Sequence, residues 1–261
     1  MKKKLFSLMM VSLLFTGLIA CSNEPKEQEA MPLGIIGAME EEVELLKEKM
    51  DIKETVEVAG MTFYHGTLHD QDVVLVRSGV GKVNMATCTQ ILVDHFSVEA
   101  LVNSGVSGTL DPELNQGDIV ISTEAVQHDF DTTPVGGKPG EISRLGMIYF
   151  EADKDLVEVA KKAANNVVDL TIKEGTVASG DQFVAGGEIA ERIKANFGEV
   201  SAVEMEGAAM AQVAYLNDVP FVIIRSISDK ADGGADLSYE EFLPLAAKNS
   251  STLVEEFIKA Y

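Results

Sequence analysis

Five charged side chains stand where apolar runs give out. Glu42 follows GIIGAM (34–39), Glu204 and Glu206 lie in EMEGAAMA (204–211), and Arg225 and Asp229 lie in RSISD (225–229). A carboxylate taken out of water is costly unless it is paired or has a chemical task, and the task such groups offer is proton transfer and charge stabilisation. In an extended run after Ile224, Arg225, Ile227 and Asp229 share one face. They are either a buried ion pair or the groups of a site. Gly207, Ala208 and Ala209 let the backbone approach its neighbours closely, so the acids before them do not face open water. The plainer reading there is a helix N-terminus carrying favourable acids.

Glu42 belongs to GIIGAMEEEVELL (34–46), where three glutamates open a helix. Acids in a first turn favour the positive end of the helix dipole by roughly 0.3–1 kcal/mol each. Starting the helix near Ala38, at about 100° per residue, puts Met39, Val43, Leu46 and Met50 on one apolar stripe. Glu40 and Glu41 then point to water, and Glu42 lies at the stripe's edge, turned toward the interior. Taken alone, the stretch favours a capping or solvated role for all three.

The elements that must position these residues alternate in type. Strands are expected at 33–38, 61–68, 72–79, 100–108, 117–129, 173–181 and 219–229, with an HDQD turn joining the second and third. Helices are expected from 38, at 82–96, 154–168 and 188–197, and at 239–261 with Pro244 near its first turn. Residues 130–147, rich in glycine and proline, read as a long loop. The alternation argues for a single α/β domain with a central mixed sheet flanked by helices. Ligands in such sheets sit at the carboxyl ends of strands. Those ends carry Glu42, the SGVGK turn (78–82), NSGVSG (103–108) and the RSISD run.

The N-terminus reads differently. Lys2, Lys3 and Lys4 precede an apolar stretch from Leu5 to Ile19, too short for a comfortable membrane span, that ends in LIAC (18–21). The pattern resembles a bacterial lipobox, so residues 1–21 are expected to be a lipoprotein signal with Cys21 as the lipidated residue. Residues 22–32 read as a flexible tether and 33–261 as the folded domain. The expectation is a domain on the extracytoplasmic side of the cell membrane, attached only through its lipid. The formal net charge of −21 argues against nucleic acid or an anionic membrane surface as partners. Cys88 lies in an apolar helical pattern and reads as a buried structural thiol.

GIIGAMEEEVELL, SGVGKVNMA, SGDQFV, AVEMEGAA and RSISD followed by LSYEEF resemble, in this order, the 5′-methylthioadenosine/S-adenosylhomocysteine nucleosidases of the purine nucleoside phosphorylase superfamily. The resemblance runs from about Leu33 to Tyr261 and implies a nucleoside phosphorylase-like fold. It implies that Glu42 activates the attacking water and Asp229 protonates the adenine leaving group. Glu206 would bind the ribose hydroxyls with Met205 under the sugar. Phe183 would stack on adenine, whose edge the Val184 backbone pairs. Met39 and Tyr239 would line the alkylthio side, and Arg225 would help hold Glu206 and the water. Val80 and Val106 complete the implied lining.

These roles suit the chemistry. Cleaving an N-glycosidic bond makes a cationic sugar and a poor leaving anion. A carboxylate answers the first and a neutral acid the second. Burial and the Ser228 hydroxyl are expected to raise the pKa of Asp229.

Two positions depart from the family pattern. Val106 stands where a serine is usual, with Ser107 next to it, and Tyr239 stands where phenylalanine is usual. The family also implies a homodimer, with adenosine thioethers as small-molecule partners. A phosphorylase on the same fold is the enzymatic alternative, but only Arg77, Arg144, Arg192 and Arg225 are available to cradle phosphate, which favours water. A nucleosidase for an aminofutalosine-type nucleoside and a nucleoside-binding surface lipoprotein are the others. No cofactor or metal is called for. SGVGK and SGVSG lack dinucleotide-binding spacing, and His65 and His69 do not converge in a strand and turn.

Overall fold

The longest apolar runs become the middle of the sheet. In the computed structural model, which describes residues 31–167, 170–232 and 235–261, β1 (Leu33–Gly37), β5 (Ala100–Gly108) and β10 (Phe221–Asp229) are buried at every position. A strand covered on both faces needs a continuous apolar run rather than alternation. β1 lies between β5 and β4 (Gln71–Arg77), parallel to both. Beyond β4 an antiparallel meander adds β3 (Met61–Leu68) and β2 (Asp51–Val58). The β3–β4 turn is His69–Asp70, both with left-handed φ, as a tight hairpin requires.

On the other side, β10 runs parallel to β5 and antiparallel to β6 (Ile119–Gln127). β6 pairs in parallel with β8 (Ile172–Ser179), and β8 with β9 (Ala202–Glu204). β9 returns to β5 through Val203 and Gly108, so five strands close on themselves. β7 (Tyr149–Glu151) adds a short antiparallel edge to β6.

Helices α1 (Glu40–Lys47) and α3 (Lys154–Ala164) each pack on α6 (Ala235–Ala260), while α2 (Lys82–Phe96) packs on α5 (Gly207–Leu216). α4 (Gly187–Phe197) buries Ala190, Ile193 and Phe197 in a second apolar cluster.

Several boundaries differ from the sequence reading. β2 is an additional strand: DIKETVEV is mostly exposed and pairs on one side only, so no buried face imprints its pattern. β7 and β9, three residues each, are too short for periodicity to register. α6 begins at Ala235, which puts Pro244 inside the helix rather than near its first turn.

The expectation of a lipid-anchored domain at the membrane is corrected. Among the described residues no helix is long and apolar enough to cross a membrane, and the large apolar side chains are instead gathered into the core around the sheet. The expected signal, Cys21 and the tether up to residue 30 lie outside the described residues. Pro32 is already engaged, its carbonyl accepting the Glu99 N–H at 3.0 Å.

Candidate active site

The β1–α1 junction aims Glu42 inward. Its Oε2 accepts the N–H groups of Ala38 (2.6 Å) and Met39 (2.9 Å), and its Oε1 accepts the N–H of Val106 in β5 (3.0 Å). Glu40 and Glu41 are exposed, and Glu40 lies 3.3 Å from Arg77. The three glutamates therefore divide as helix geometry predicts. Burial pushes the Glu42 carboxyl above its ordinary value, against the pull of Arg225 and its three backbone donors.

Arg225, from the centre of β10, is fully buried. Its Nη2 donates to Asn103 Oδ1 at 2.6 Å and to Glu204, its close ion-pair partner, while Glu206 lies 3.7 Å away. The approach to Glu42 needs Gly105 to be glycine, since a Cβ there would lie 1.8 Å from Arg225 Nη1 and 2.7 Å from Glu42 Oε1.

The two carboxylates of EMEG are separated by task. Glu204 accepts the N–H groups of Glu206 and Gly207, at 3.1 and 2.8 Å, and a hydrogen bond from the Ser179 hydroxyl, so it is spent on the start of α5 and on Arg225. Glu206 is left facing the cleft, and its Oε1 accepts the Gly81 N–H at 2.8 Å. Burial first, and then the charge of Glu204, push Glu206 up to about 7, while Arg225 and the Gly81 N–H pull it back.

At the far end of β10, Asp229 Oδ1 accepts the Ala231 N–H (2.8 Å) and Oδ2 accepts the Ser228 hydroxyl (2.9 Å). Burial raises the Asp229 carboxyl, and both hydrogen bonds oppose that rise. The expectation that Ser228 helps to raise it is corrected: a hydroxyl donating to a carboxylate favours the charged form. The same hydroxyl lies 3.1 Å from the Ser107 carbonyl, so its one proton serves one acceptor at a time.

The Glu42, Glu206 and Asp229 carboxyls border one cleft. Glu42, Glu206, Ser228 and Asp229 are among its polar groups, and Met39, Val80, Val106, Phe183, Met205 and Tyr239 among its apolar ones. Tyr239 meets Phe183 edge-on at 5.5 Å between ring centroids and donates to Met39 Sδ at 3.3 Å. Burial raises its phenol to about 12, so it stays protonated.

Two expected residues do not line the cleft. Val184 is buried in the cluster around Phe197, and Arg225 sits behind the carboxylates. Glu204, Ser107 and Gly108 do line it, and the sequence assigned them no role. The i, i+2 spacing of Glu204 and Glu206 was the available signal. Their different tasks depend on Ser179 and Arg225, distant in sequence. His65 and His69 pair with Asp72 and Glu255, at 3.2 and 2.9 Å, away from the cleft.

A mixed sheet with four buried carboxylates bordering one cleft at its strand ends has the layout of an α/β enzyme. The family model of the phosphorylase superfamily matches residues 32–259. The 5′-methylthioadenosine/S-adenosylhomocysteine nucleosidase of Psychromonas ingrahamii is 47% identical over 228 residues, covering 87% of this chain and 98% of its own. That of Staphylococcus carnosus is 45% identical over 230 residues, covering 87% and 99%. The crystal structure of the Neisseria meningitidis nucleosidase in complex with methylthio-immucillin-A superposes with a TM-score of 0.86 at 41% identity, covering 88% of this chain and all of that one. The Colwellia psychrerythraea enzyme in complex with adenine gives 0.85 at 43% identity, covering 89% and 96%. The chain belongs to the phosphorylase superfamily, in its 5′-methylthioadenosine/S-adenosylhomocysteine nucleosidase family.

Proposed function

We propose that the chain hydrolyses the N-glycosidic bond of 5′-methylthioadenosine and S-adenosylhomocysteine, releasing adenine and the alkylthioribose. The observation that carries the reading is the convergence of Glu42, Glu206 and Asp229 on one cleft beside Phe183 and Met205. Asp229, its pKa raised by burial, holds the proton that neutralises adenine as the bond breaks. Glu42 takes a proton from water as the water oxygen joins the anomeric carbon. Its backbone donors fix the carboxylate, and burial makes it a stronger base than a solvated one. Glu206 accepts hydrogen bonds from the ribose hydroxyls and offsets the cationic sugar. Phe183 stacks on the base, Met205 lies under the sugar, and Met39, Val106 and Tyr239 take the 5′-thio group.

Among the described residues no lysine or arginine lines the cleft, and Arg225, buried behind it, gives its Nη2 to Glu204 and Asn103. A dianionic phosphate would lack a cationic partner there, which favours water as nucleophile. A homodimer belongs to the same proposal. Val80, Val83 and Phe183 are large apolar residues left exposed around the cleft and the adjoining start of α2, and they offer a surface for it.

The test is incubation of the purified chain with 5′-methylthioadenosine, with and without phosphate, and chromatography of the products. Adenine and free methylthioribose at the same rate in both are expected. Sugar phosphate formed only with phosphate would reassign the chain to phosphorolysis, and binding without adenine release would remove the enzymatic reading.

A further inference from the structure

Two residues on the rim of the cleft are largely exposed. Val80, in the turn before α2, is 47% exposed, and Phe183, in the loop after β8, is 46% exposed. Each is expected to contact substrate, yet neither side chain is buried in the core. Beside the packing of Val184, a closed polar ring joins their segments. The Lys82 ammonium lies 2.6 Å from Asp129 Oδ1. Asp129 Oδ2 accepts the N–H of Asp181 at 2.9 Å, and Asp181 Oδ1 accepts the N–H of Lys82 at 2.8 Å. Lys82 also donates to Gln127 Oε1 at 3.1 Å, which ties the ring to the end of β6.

The ring's position relates it to binding. Gly81, next to Lys82, donates to Glu206, and Phe183 follows Asp181 by two residues. One side therefore sets the turn that holds the sugar-binding carboxylate, and the other sets the loop that carries the base-stacking ring. The Lys82 and Asp129 side chains are only 17% and 18% exposed, so salt screens them less than a surface pair.

We infer that Lys82, Asp129 and Asp181 are positioning residues that clamp the sugar-side and base-side walls of the cleft at the separation a nucleoside needs. The inference rests on the nucleosidase reading and adds to it three residues outside the cleft lining. The clamp acts on ground-state binding, because its members touch neither the anomeric carbon nor the Asp229 proton.

The experiment is steady-state kinetics of the full chain with 5′-methylthioadenosine, together with thermal melting, for D129N, D181A and D181N. Asp129→Asn leaves one acceptor where two are needed, and Asp181→Ala removes the acceptor for the Lys82 N–H. Each is expected to raise KM about tenfold, the usual cost of losing a charge-assisted hydrogen bond, with kcat within about twofold of the parent. Asp181→Asn keeps an amide oxygen toward Lys82 and is expected to retain the parent KM. The double variant D129N/D181A should be no worse than the poorer single one, since either change opens the ring. Unchanged KM with lowered melting temperature in D129N and D181A would overturn the clamp, as would equal losses in D181N and D181A. Should the parent release no adenine, the nucleosidase reading fails separately. Calorimetric binding of the same nucleoside then decides the clamp, by whether D181A binds more weakly than D181N.

Discussion

Glu42 and Glu206 are both buried carboxyls, but their surroundings suit different work. Glu42 is enclosed by three backbone donors, so the ionised form has an acceptor site for each and a neutral amide does not. Glu42→Gln should lower kcat by about 10²–10⁴, the range typical of a lost general base. It should also cost about 1–3 kcal/mol of stability for the donors left unmatched. Adenine release and urea unfolding check the two, and a variant with near-parent rate would sink the role. Burial and the charge of Glu204 push Glu206 up to about 7, and it must be ionised to accept from two hydroxyls. The expected kcat/KM therefore falls as pH drops through about 7, and the Glu206→Gln variant, whatever its rate, should lack that inflection. A pH profile flat from 8 to 5 in the parent, on the scale of one tenfold change per unit expected for a single essential ionisation, would contradict it.

At the scale of elements, the centre of the site is a contact between two parallel strands. β5 contributes Asn103 and Gly105, β10 contributes Arg225, and Gly105 and Arg225 are direct partners in the register. Ser250 of α6 fixes that spot from above, its hydroxyl accepting the Gly105 N–H at 3.0 Å and lying 3.1 Å from Ser104 Oγ. β5 cannot shift to relieve crowding, because it is held by β1, β10 and α6 together. Gly105→Ala should therefore destabilise by at least about 1–3 kcal/mol, the cost of overpacking a closed core. It should also reduce activity by displacing the guanidinium from Glu42. Urea unfolding with an unchanged midpoint would refute this.

At the scale of the whole molecule, the buried acids and the net charge of −21 act together. Glu42, Glu206 and Asp229 are all raised, so the folded chain binds protons more tightly than the unfolded chain and loses stability as pH rises. For Glu206 that window runs from its ordinary 4.5 up to about 7. Glu255 works oppositely: despite burial, Lys49, His69 and Lys259 hold it at about 2, so its contribution is lost as pH falls below 4.5. Melting temperature is expected to peak at about pH 5 and to decline toward pH 8, with a shallower decline in Glu206→Gln. A melting temperature that rises steadily from pH 5 to 8 would show that other groups dominate.

Much of this protein is determined by local sequence. The apolar runs of β1, β5 and β10 specify central strands, helix geometry separates Glu42 from Glu40 and Glu41, and the ordered motifs carry the family. All of these are one-dimensional patterns, set by the 2- and 3.6-residue periods or by residue order. The edge strand β2 left no such pattern, because nothing buries one of its faces. Tertiary structure alone decided which acid meets which cation. Arg225 lies closer to Glu204 than to Glu206, and Ser179 and the start of α5 hold Glu204 there. It also set the direction of the Ser228 effect on Asp229 and joined Lys82, Asp129 and Asp181 into one ring. Pairing and desolvation depend on distances between residues far apart in the chain, and those distances exist only once the sheet has closed.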